Sequence, residues 1–319
     1  MRREIALGML LACGGIAWAG AAFQAQQPPG VKVPDIVKVR DNLYVIGGAN
    51  PNAQKEFSGG NTAVFVTTKG VVVVDTKFAG WGKMILGKIK SVTDRPVTTI
   101  INTHTHFDHS GSNTEFPATV EFVAHANTRA NMARDTCEPV TNCAAFKGEN
   151  AKFLPKRTFQ DKMSLFSGAD QIDLYHFGPG HTNGDAFVVF TAARAVHTGD
   201  MYQLKWLPFI DPGSGGSAVA FPRTLARAVA EIKNVDTIIP GHSPVTTWAD
   251  VTEHVQVLED FVKAAQEGIK AGRSAEEVAK SYKIPARFKG YLHDPQRNLL
   301  LVRMIYDEVR GQGRAQGRP

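Results

Sequence analysis

Alternating apolar and polar positions in the first part of the chain predict a β-meander. An apolar run at residues 41–46 ends at two glycines, and a run at 62–67 is followed, after a Lys-Gly turn signal, by a run at 71–75. The third run is apolar at nearly every position, which predicts a strand buried on both faces. Residues 82–91 space apolar side chains among lysines as a helix does, and 96–102 returns to a strand pattern.

A second strand-rich block follows, and the chain then becomes helical. The strand patterns cover residues 158–177, 186–190, 193–197 and 235–240. The helical patterns cover residues 222–234, 251–272, 274–282 and 295–309. Ser274 is the predicted N-cap of one of these helices. Two strand-rich halves, each followed by helices, predict two packed sheets covered by helices on both outer faces.

Length and composition restrict the class of protein. A chain of 319 residues is long enough for one large α/β domain and too short for two ordinary catalytic domains with a linker. Apolar residues at 43% and charged residues at 21% indicate a globular protein rather than a disordered chain or a polytopic membrane protein. The net charge of +6 comes from dispersed basic residues, which favours a solvated surface over a nucleic-acid site.

The N-terminus has the layout of an export signal. Arg2 and Arg3 precede an apolar run at residues 5–23 that ends in small residues, so we expect a signal peptide at 1–25 and a Gln- and Pro-rich linker at 26–34. A retained membrane anchor and a lipoprotein signal at Cys13 are the alternatives. The mature protein is therefore expected in the periplasm or outside the cell, without stable insertion in the membrane.

Two cysteines remain after removal of such a leader. Cys137 and Cys143 lie six positions apart in one loop segment. An even pair in an exported chain predicts a disulfide, whereas a metal pair or a nucleophile is disfavoured because neither cysteine has histidine neighbours.

The candidate chemistry begins directly after the strand pattern at residues 96–102. His104 and His106 are two positions apart on an extended segment, which points both imidazoles to the same side. Asp108 and His109 follow in a turn. Imidazole and carboxylate groups are suited to zinc or iron, and a strand end provides a rigid base for them. The segment therefore predicts a metal site.

Three further segments have the same layout, with a candidate ligand in a turn after an apolar run. They place His181 in a glycine-rich turn, Asp200 after the run at 193–197 and His242 after the run at 235–240. Ligands from several strand ends that meet at one edge are the usual way in which an α/β scaffold builds a site.

Taken in order, the motifs His-x-His-x-Asp-His, Gly-His-Thr-x-Gly-Asp, His-Thr-Gly-Asp and Pro-Gly-His resemble the metallo-β-lactamase superfamily, from about Asn42 to His242. The resemblance implies an α/β protein with a four-layer αββα sandwich at residues 35–250, with a helical segment at 251–319 packed on the same domain. It assigns one metal ion to His104, His106 and His181, a second ion to Asp108, His109 and His242, and the bridging position to Asp200. A bridging aspartate makes the chain more similar to the glyoxalase, lactonase and phosphodiesterase members than to true β-lactamases.

The resemblance implies two metal ions, zinc ahead of iron or manganese, and no residue that binds an organic cofactor. Two carboxylates among seven ligands leave a positive site that lowers the pKa of a bound water and supplies hydroxide for attack on a small-molecule substrate. Asp108 is the predicted acid for the leaving group and Tyr202 the second candidate. Asp75 is expected to orient ligand loops or to cap a turn.

The sequence defines the substrate specificity less well than it defines the metal site. The predicted pocket walls are the segments 49–60 and 131–156 and the aromatic loop after Asp200, which contains Tyr202, Trp206, Leu207 and Phe209. The leading hypothesis is an exported hydrolase of small esters, lactones, thioesters or amides. A β-lactamase is the nearest alternative, and an iron-dependent oxidoreductase on the same fold is the second. We expect no nucleic-acid partner, and the oligomeric state stays open.

Overall fold

The computed structural model describes residues 34–49 and 56–311. The predicted signal peptide at 1–25 and nearly all of the predicted linker at 26–34 lie outside these residues. Among the described residues, no helix combines the length and the apolar character needed to cross a bilayer.

The first sheet has seven strands in chain order, antiparallel over the first four and parallel from the fourth onward. Its strands are β1 (Ile36–Arg40), β2 (Leu43–Ile46), β3 (Thr62–Thr67), β4 (Gly70–Val74), β5 (Val97–Asn102), β6 (Glu121–His125) and β7 (Arg157–Phe159). Strand β4 has the sequence GVVVV and is buried at all five positions. This confirms the strand that we predicted to be buried on both faces.

The second sheet has five strands, which are antiparallel except for one parallel pair at the edge. Its strands are β8 (Lys162–Leu165), β9 (Ile172–Tyr175), β10 (Phe187–Phe190), β11 (Ala195–Gly199) and β12 (Thr237–Pro240). Strands β11 and β12 form the parallel pair, with α4 (Phe221–Glu231) between them in the sequence.

The remaining helices cover the sheets and close the chain. They are α1 (Gly82–Lys90), α2 (Phe107–Ser110), α3 (Ala126–Met132), α5 (Trp248–Lys270), α6 (Ala275–Ser281) and α7 (Pro295–Val309). Short 3-10 turns lie at Asn113–Glu115, Cys143–Phe146, Gly148–Phe153, Gly168–Asp170 and Pro212–Ser214. Ser274 caps α6 as predicted, in a reciprocal capping box with Glu277.

Three apolar clusters define four layers. One lies between the two sheets, where Phe65 of β3 and Phe190 of β10 are in contact with ring centroids 5.1 Å apart. A second joins the outer face of the first sheet to α1, through Ile85 and Ile89. The third joins the outer face of the second sheet to α4, α5, α6 and α7. These clusters confirm the αββα sandwich that the sequence predicts.

The parallel strands determine where the polar turns meet. Strands β4 and β5 run parallel in the first sheet, and β11 and β12 run parallel in the second. Their carboxyl ends lead into Asp75, His104, Asp200 and His242, and the carboxyl ends of parallel strands lie at the same edge of a sheet. The Cys137–Cys143 disulfide also forms as predicted, with its Cα atoms 5.6 Å apart.

Candidate metal centre

The first group of predicted ligands is a triad of buried imidazoles. His104 and His106 follow β5, and His181 lies in the turn between β9 and β10. The Nε2 atom of His181 is 3.2 Å from Nε2 of His104 and 2.9 Å from Nδ1 of His106. A tetrahedral zinc centre with Zn–N bonds of about 2.0–2.1 Å separates its nitrogens by about 3.3 Å, so the spacing fits one ion.

The second group contains Asp108, His109 and His242. The Nε2 atoms of His109 and His242 are 3.3 Å apart. The Oδ2 atom of Asp108 lies 3.6 Å from the first and 3.4 Å from the second. The three donor atoms are therefore also close enough to hold one ion.

Asp200 lies between the two groups. Its Oδ1 atom is 3.2 Å from Nε2 of His109, and its Oδ2 atom is 3.2 Å from Nε2 of His242 and 3.5 Å from Nε2 of His181. Oδ1 is buried and has no hydrogen-bond partner of suitable geometry among the described residues. A buried carboxylate oxygen without a donor is costly, and this geometry suits a ligand shared by two cations.

Two of the imidazoles donate to carboxylates on the side away from the site. His106 Nε2 lies 3.0 Å from Asp211 Oδ2, and His109 Nδ1 lies 2.7 Å from Asp75 Oδ2. A carboxylate accepts a proton and offers none, so each ring holds a proton on the side away from the site, and His106 directs an unprotonated nitrogen into it. Burial raises the pKa of Asp211, but the hydrogen bond and charge of His106 and the hydrogen bonds of Ser214 together outweigh burial and lower the pKa to about 2.

Two further imidazoles are oriented in the same sense. His181 Nδ1 donates to the carbonyl oxygen of Phe209 at 2.7 Å. The hydroxyl of Thr103 donates to Asp75 Oδ2 at 2.7 Å, which leaves its oxygen as the acceptor for His104 Nδ1 at 3.0 Å. The ring nitrogens of His104, His106 and His181 thus face one another with lone pairs and without a proton between them, an arrangement that a cation stabilises.

Asp75 is the residue on which two of these contacts depend. It directly follows β4 in the left-handed region, with φ 61°, and accepts from the main-chain N–H of Thr103 at 2.8 Å. Together with the Thr103 hydroxyl and the His109 ring, this gives it three donors. The structure therefore favours the orienting role of Asp75 over simple turn capping.

The charges follow from burial and from close neighbours. Burial lowers the pKa of His104 well below its usual value, and the nearby imidazoles lower it further. Burial and His106 lower the pKa of His181 to about 4, so both rings are neutral and able to bind a metal at pH 7. Burial also lowers the pKa of His109, but Asp108, Asp200 and Asp75 outweigh it and raise that pKa well above its usual value. The carboxylates thus favour a positive charge in the second group.

Two glycines make room for the ligands. A Cβ atom on Gly60 would overlap the His109 ring, and one on Gly241 would overlap Asp200 Oδ1. The glycine in the Pro-Gly-His motif is therefore a packing requirement as well as a turn residue.

Aromatic rings form walls on two sides of the site. Phe209 is 38% exposed, and its ring centroid is 6.0 Å from that of His106 and 5.9 Å from that of His181. Phe57 lies on the other side, 5.4 Å from the ring of His242. Phe209 and the segment 49–60 were predicted as walls, whereas Trp206 and Leu207 are each only 2% exposed.

The ring of Tyr202 is directed elsewhere. It packs against His254 with ring centroids 5.2 Å apart, and it is 3% exposed. Burial raises its pKa, and Asp250 and Glu253 raise it further. A phenol held in this environment is poorly suited to give a proton to a leaving group, so the structure gives the prediction of Tyr202 as an acid no geometric support.

Some site residues carried no recognisable signal in the sequence. Asp211 contacts His106, which is distant in the sequence, and Gln203 contacts Asp200 in its own turn and the distant His242; neither belongs to a motif. Lys77 is fully buried and donates to the carbonyl oxygens of Gly47 at 2.9 Å and Gly60 at 2.8 Å. Burial lowers the pKa of Lys77 to about 7. These contacts depend on pairing between distant loops.

Comparisons with known proteins agree with this geometry. The model of the metallo-beta-lactamase superfamily matches residues 56–242. A relative named metallo-beta-lactamase type 2, from Elizabethkingia meningoseptica, is 26% identical over 280 residues, which cover 85% of this chain and 99% of the relative.

Solved structures show the same fold. The metallo-beta-lactamase from Pontibacter korlensis superimposes with a TM-score of 0.59 at 18% identity, covering 71% of this chain and 99% of its own. The DIM-1 metallo-beta-lactamase superimposes with a TM-score of 0.54 at 17% identity, covering 72% and 99%.

Proposed function

Since the chain belongs to the metallo-β-lactamase superfamily and is a metal-dependent hydrolase, we propose that it holds two zinc ions and hydrolyses a small ester, lactone, thioester or amide. The observation that carries this proposal is the triad of buried imidazoles His104, His106 and His181, whose lone pairs face one another, beside a second group of His109, His242 and the carboxylates of Asp108 and Asp200. Nitrogen and oxygen donors in closely spaced groups of three are suited to zinc.

The distances between donor atoms divide the proposed ligands into two groups, one for each ion. One ion is held by His104, His106 and His181 and the other by Asp108, His109 and His242, with Asp200 shared. When bound, such ions polarise the substrate carbonyl and lower the pKa of a water molecule towards neutrality.

Asp108 is the proposed proton carrier. Its side chain is 16% exposed, against 0% for His109 and 4% for Asp200, so it is the most accessible of these groups to a substrate. This carboxylate would take the proton of the attacking water on the oxygen that does not bind an ion and would pass it to the leaving group. Phe209 and Phe57 exclude water on opposite sides and contact the apolar part of the substrate.

β-Lactam hydrolysis is the second candidate. The name of the Elizabethkingia meningoseptica relative, which aligns over nearly its whole length, favours it. A β-lactam is a cyclic amide, so the same residues would serve.

A substrate panel separates the two candidates. The zinc-loaded protein is given a chromogenic cephalosporin, aryl esters, a γ-lactone and a thioester, and kcat/KM is measured for each. We expect the ester or lactone to be the best substrate. A cephalosporin that is hydrolysed faster than every other compound would establish the second candidate instead. Iron in the purified protein with oxygen consumption, and no hydrolysis, would contradict both.

We also propose export to the periplasm or beyond the cell. The Cys137–Cys143 disulfide supports this, because structural disulfides persist in oxidising compartments. Cell fractionation with a non-reducing mass measurement tests it. Protein found in the cytoplasmic fraction with two free thiols would contradict the proposal.

A further inference from the structure

Gln203 follows Asp200 by three residues and contacts two of the seven predicted ligands. Its side-chain Nε2 donates to Oδ2 of Asp200. The main-chain carbonyl oxygen of Gln203 accepts a hydrogen bond from the main-chain N–H of His242 at 3.2 Å. Gln203 is only 5% exposed, so bulk water competes little for either contact. One residue thus connects the ligand after β11 to the ligand after β12.

Trp206 determines which end of the Gln203 amide faces Asp200. An amide has a donor end and an acceptor end, whereas an indole N–H only donates. The indole of Trp206 donates to Gln203 Oε1 at 3.1 Å. The amide nitrogen must therefore face the carboxylate. The reverse orientation would place two oxygens against each other and an N–H against an N–H.

Trp206 is in turn covered by a residue of the C-terminal helix. The guanidinium of Arg297 lies 3.7 Å from the centroid of the Trp206 ring. Arg297 belongs to the first turn of α7, and its main-chain N–H donates to the capping carboxylate of Asp294. The family model ends at residue 242, so α7 lies beyond the matched region. The C-terminal helix nevertheless reaches the candidate centre through three successive contacts.

We propose that Gln203 is a positioning residue for Asp200, and that Trp206 and Arg297 hold its amide in the required orientation. A carboxylate shared by two ions must present its oxygens at a fixed rotation. The donor on Oδ2 fixes this rotation and leaves Oδ1 directed towards His109. The inference rests on the proposed dinuclear site.

The test measures zinc retention in the full-length protein against a graded series of chelator concentrations. Gln203→Met conserves volume and removes both side-chain hydrogen bonds. Trp206→Phe keeps a ring for Arg297 and removes the N–H. Arg297→Met removes the charge over the ring, and Arg303→Met is its matched control on the same helix, where Arg303 forms a partly exposed ion pair with Glu276.

We expect Gln203→Met to release its second zinc at roughly 10–100-fold lower chelator concentration than the wild type, as for other residues that orient metal ligands. Trp206→Phe and Arg297→Met should shift in the same direction by less, and Arg303→Met should match the wild type. The melting temperature of the metal-free Gln203→Met protein should stay within about 3 °C of the wild type, because the fold does not depend on this contact.

Two results would overturn the inference alone: wild-type and Gln203→Met proteins that both hold two zinc ions equally tightly, or a metal-free melting temperature that falls in proportion to the loss of zinc. A wild-type protein that binds no zinc would instead overturn the proposed function as well.

Discussion

At the scale of single residues, the geometry of the site depends on the hydrogen bonds that four of its imidazoles, those of His104, His106, His109 and His181, make away from it. Asp211 illustrates this, because it accepts from the ring of His106 through one oxygen and from the main-chain N–H of Ser214, at 3.1 Å, through the other. Both partners are donors, so both oxygens are required. The carboxylate thereby keeps Nδ1 of His106 unprotonated and available.

The substitution Asp211→Asn tests this requirement. The main-chain N–H of Ser214 can only donate, so the asparagine oxygen must face Ser214 and the NH2 end must face His106. His106 must then move its proton to the nitrogen that faces the site. We expect zinc affinity to fall by roughly 10–100-fold, measured by competition with a chromogenic chelator. Asp173→Asn is the matched control, because Asp173 accepts from the Ser164 hydroxyl at 2.6 Å within the second sheet. Equal affinities in the two variants would contradict the role of Asp211.

The candidate ligands could be named from the sequence, whereas the residues that orient them mostly could not. His104, Asp200 and His242 each follow an apolar run, so pattern alone places them at strand ends. Asp211 has no such local signal, because its partner His106 is brought to it only by the folded chain. Gln203 lies three residues from Asp200, but it belongs to no recognised motif. Asp75 was predicted as a possible orienting residue because it directly follows the buried strand β4.

At the scale of elements, the patterns of apolar and polar positions predicted the bounds of most strands and helices to within a few residues. The strand at Ile36–Arg40 was not anticipated, because it has three exposed and two half-exposed positions, includes two basic side chains and lies at the edge of the sheet. The strand at Glu121–His125 was not located either, since a short apolar run is typical of both a strand and a buried helix segment. Both strands depend on pairing with a neighbour.

Helix α6 depends more on its cap, because it has only seven residues. Ser274 Oγ accepts from the main-chain N–H of Glu277 at 3.1 Å, and the Glu277 carboxylate accepts from the Ser274 N–H at 2.7 Å. Ser274→Ala should lower the free energy of unfolding by about 1 kcal/mol in urea, with hydrolysis unchanged. Ser167→Ala is the control, because Ser167 begins a short helix without a side-chain cap. If Ser274→Ala were as stable as the wild type, the capping box would contribute nothing to the free energy of unfolding.

At the scale of the whole molecule, the four layers bring turns from both sheets to one edge. The disulfide segment also reaches this edge, because the main-chain N–H of Phe107 donates to the carbonyl oxygen of Val140 at 3.1 Å and His106 forms a bridge with Thr141. The segment between Cys137 and Cys143 therefore packs against the turn that carries three predicted ligands.

Replacing both cysteines with serine tests how this segment contributes. Closing a loop of this length stabilises the fold by roughly 2 kcal/mol through the entropy of the unfolded chain. We expect the double variant to lose this free energy of unfolding in urea and to retain zinc less tightly than the wild type. The wild-type protein, unfolded with and without reductant, is the matched comparison. A double variant as stable as the oxidised wild type would contradict the expectation.

The number of metal ions bound per chain tests the account most directly. Elemental analysis of purified protein should give two zinc ions in the wild type and in His293→Ala, whose histidine is exposed. His106→Ala and Asp108→Ala should each lose metal and nearly all hydrolytic activity. Variants that keep both ions and full activity, or a wild-type protein that hydrolyses substrate without metal, would contradict the central claim.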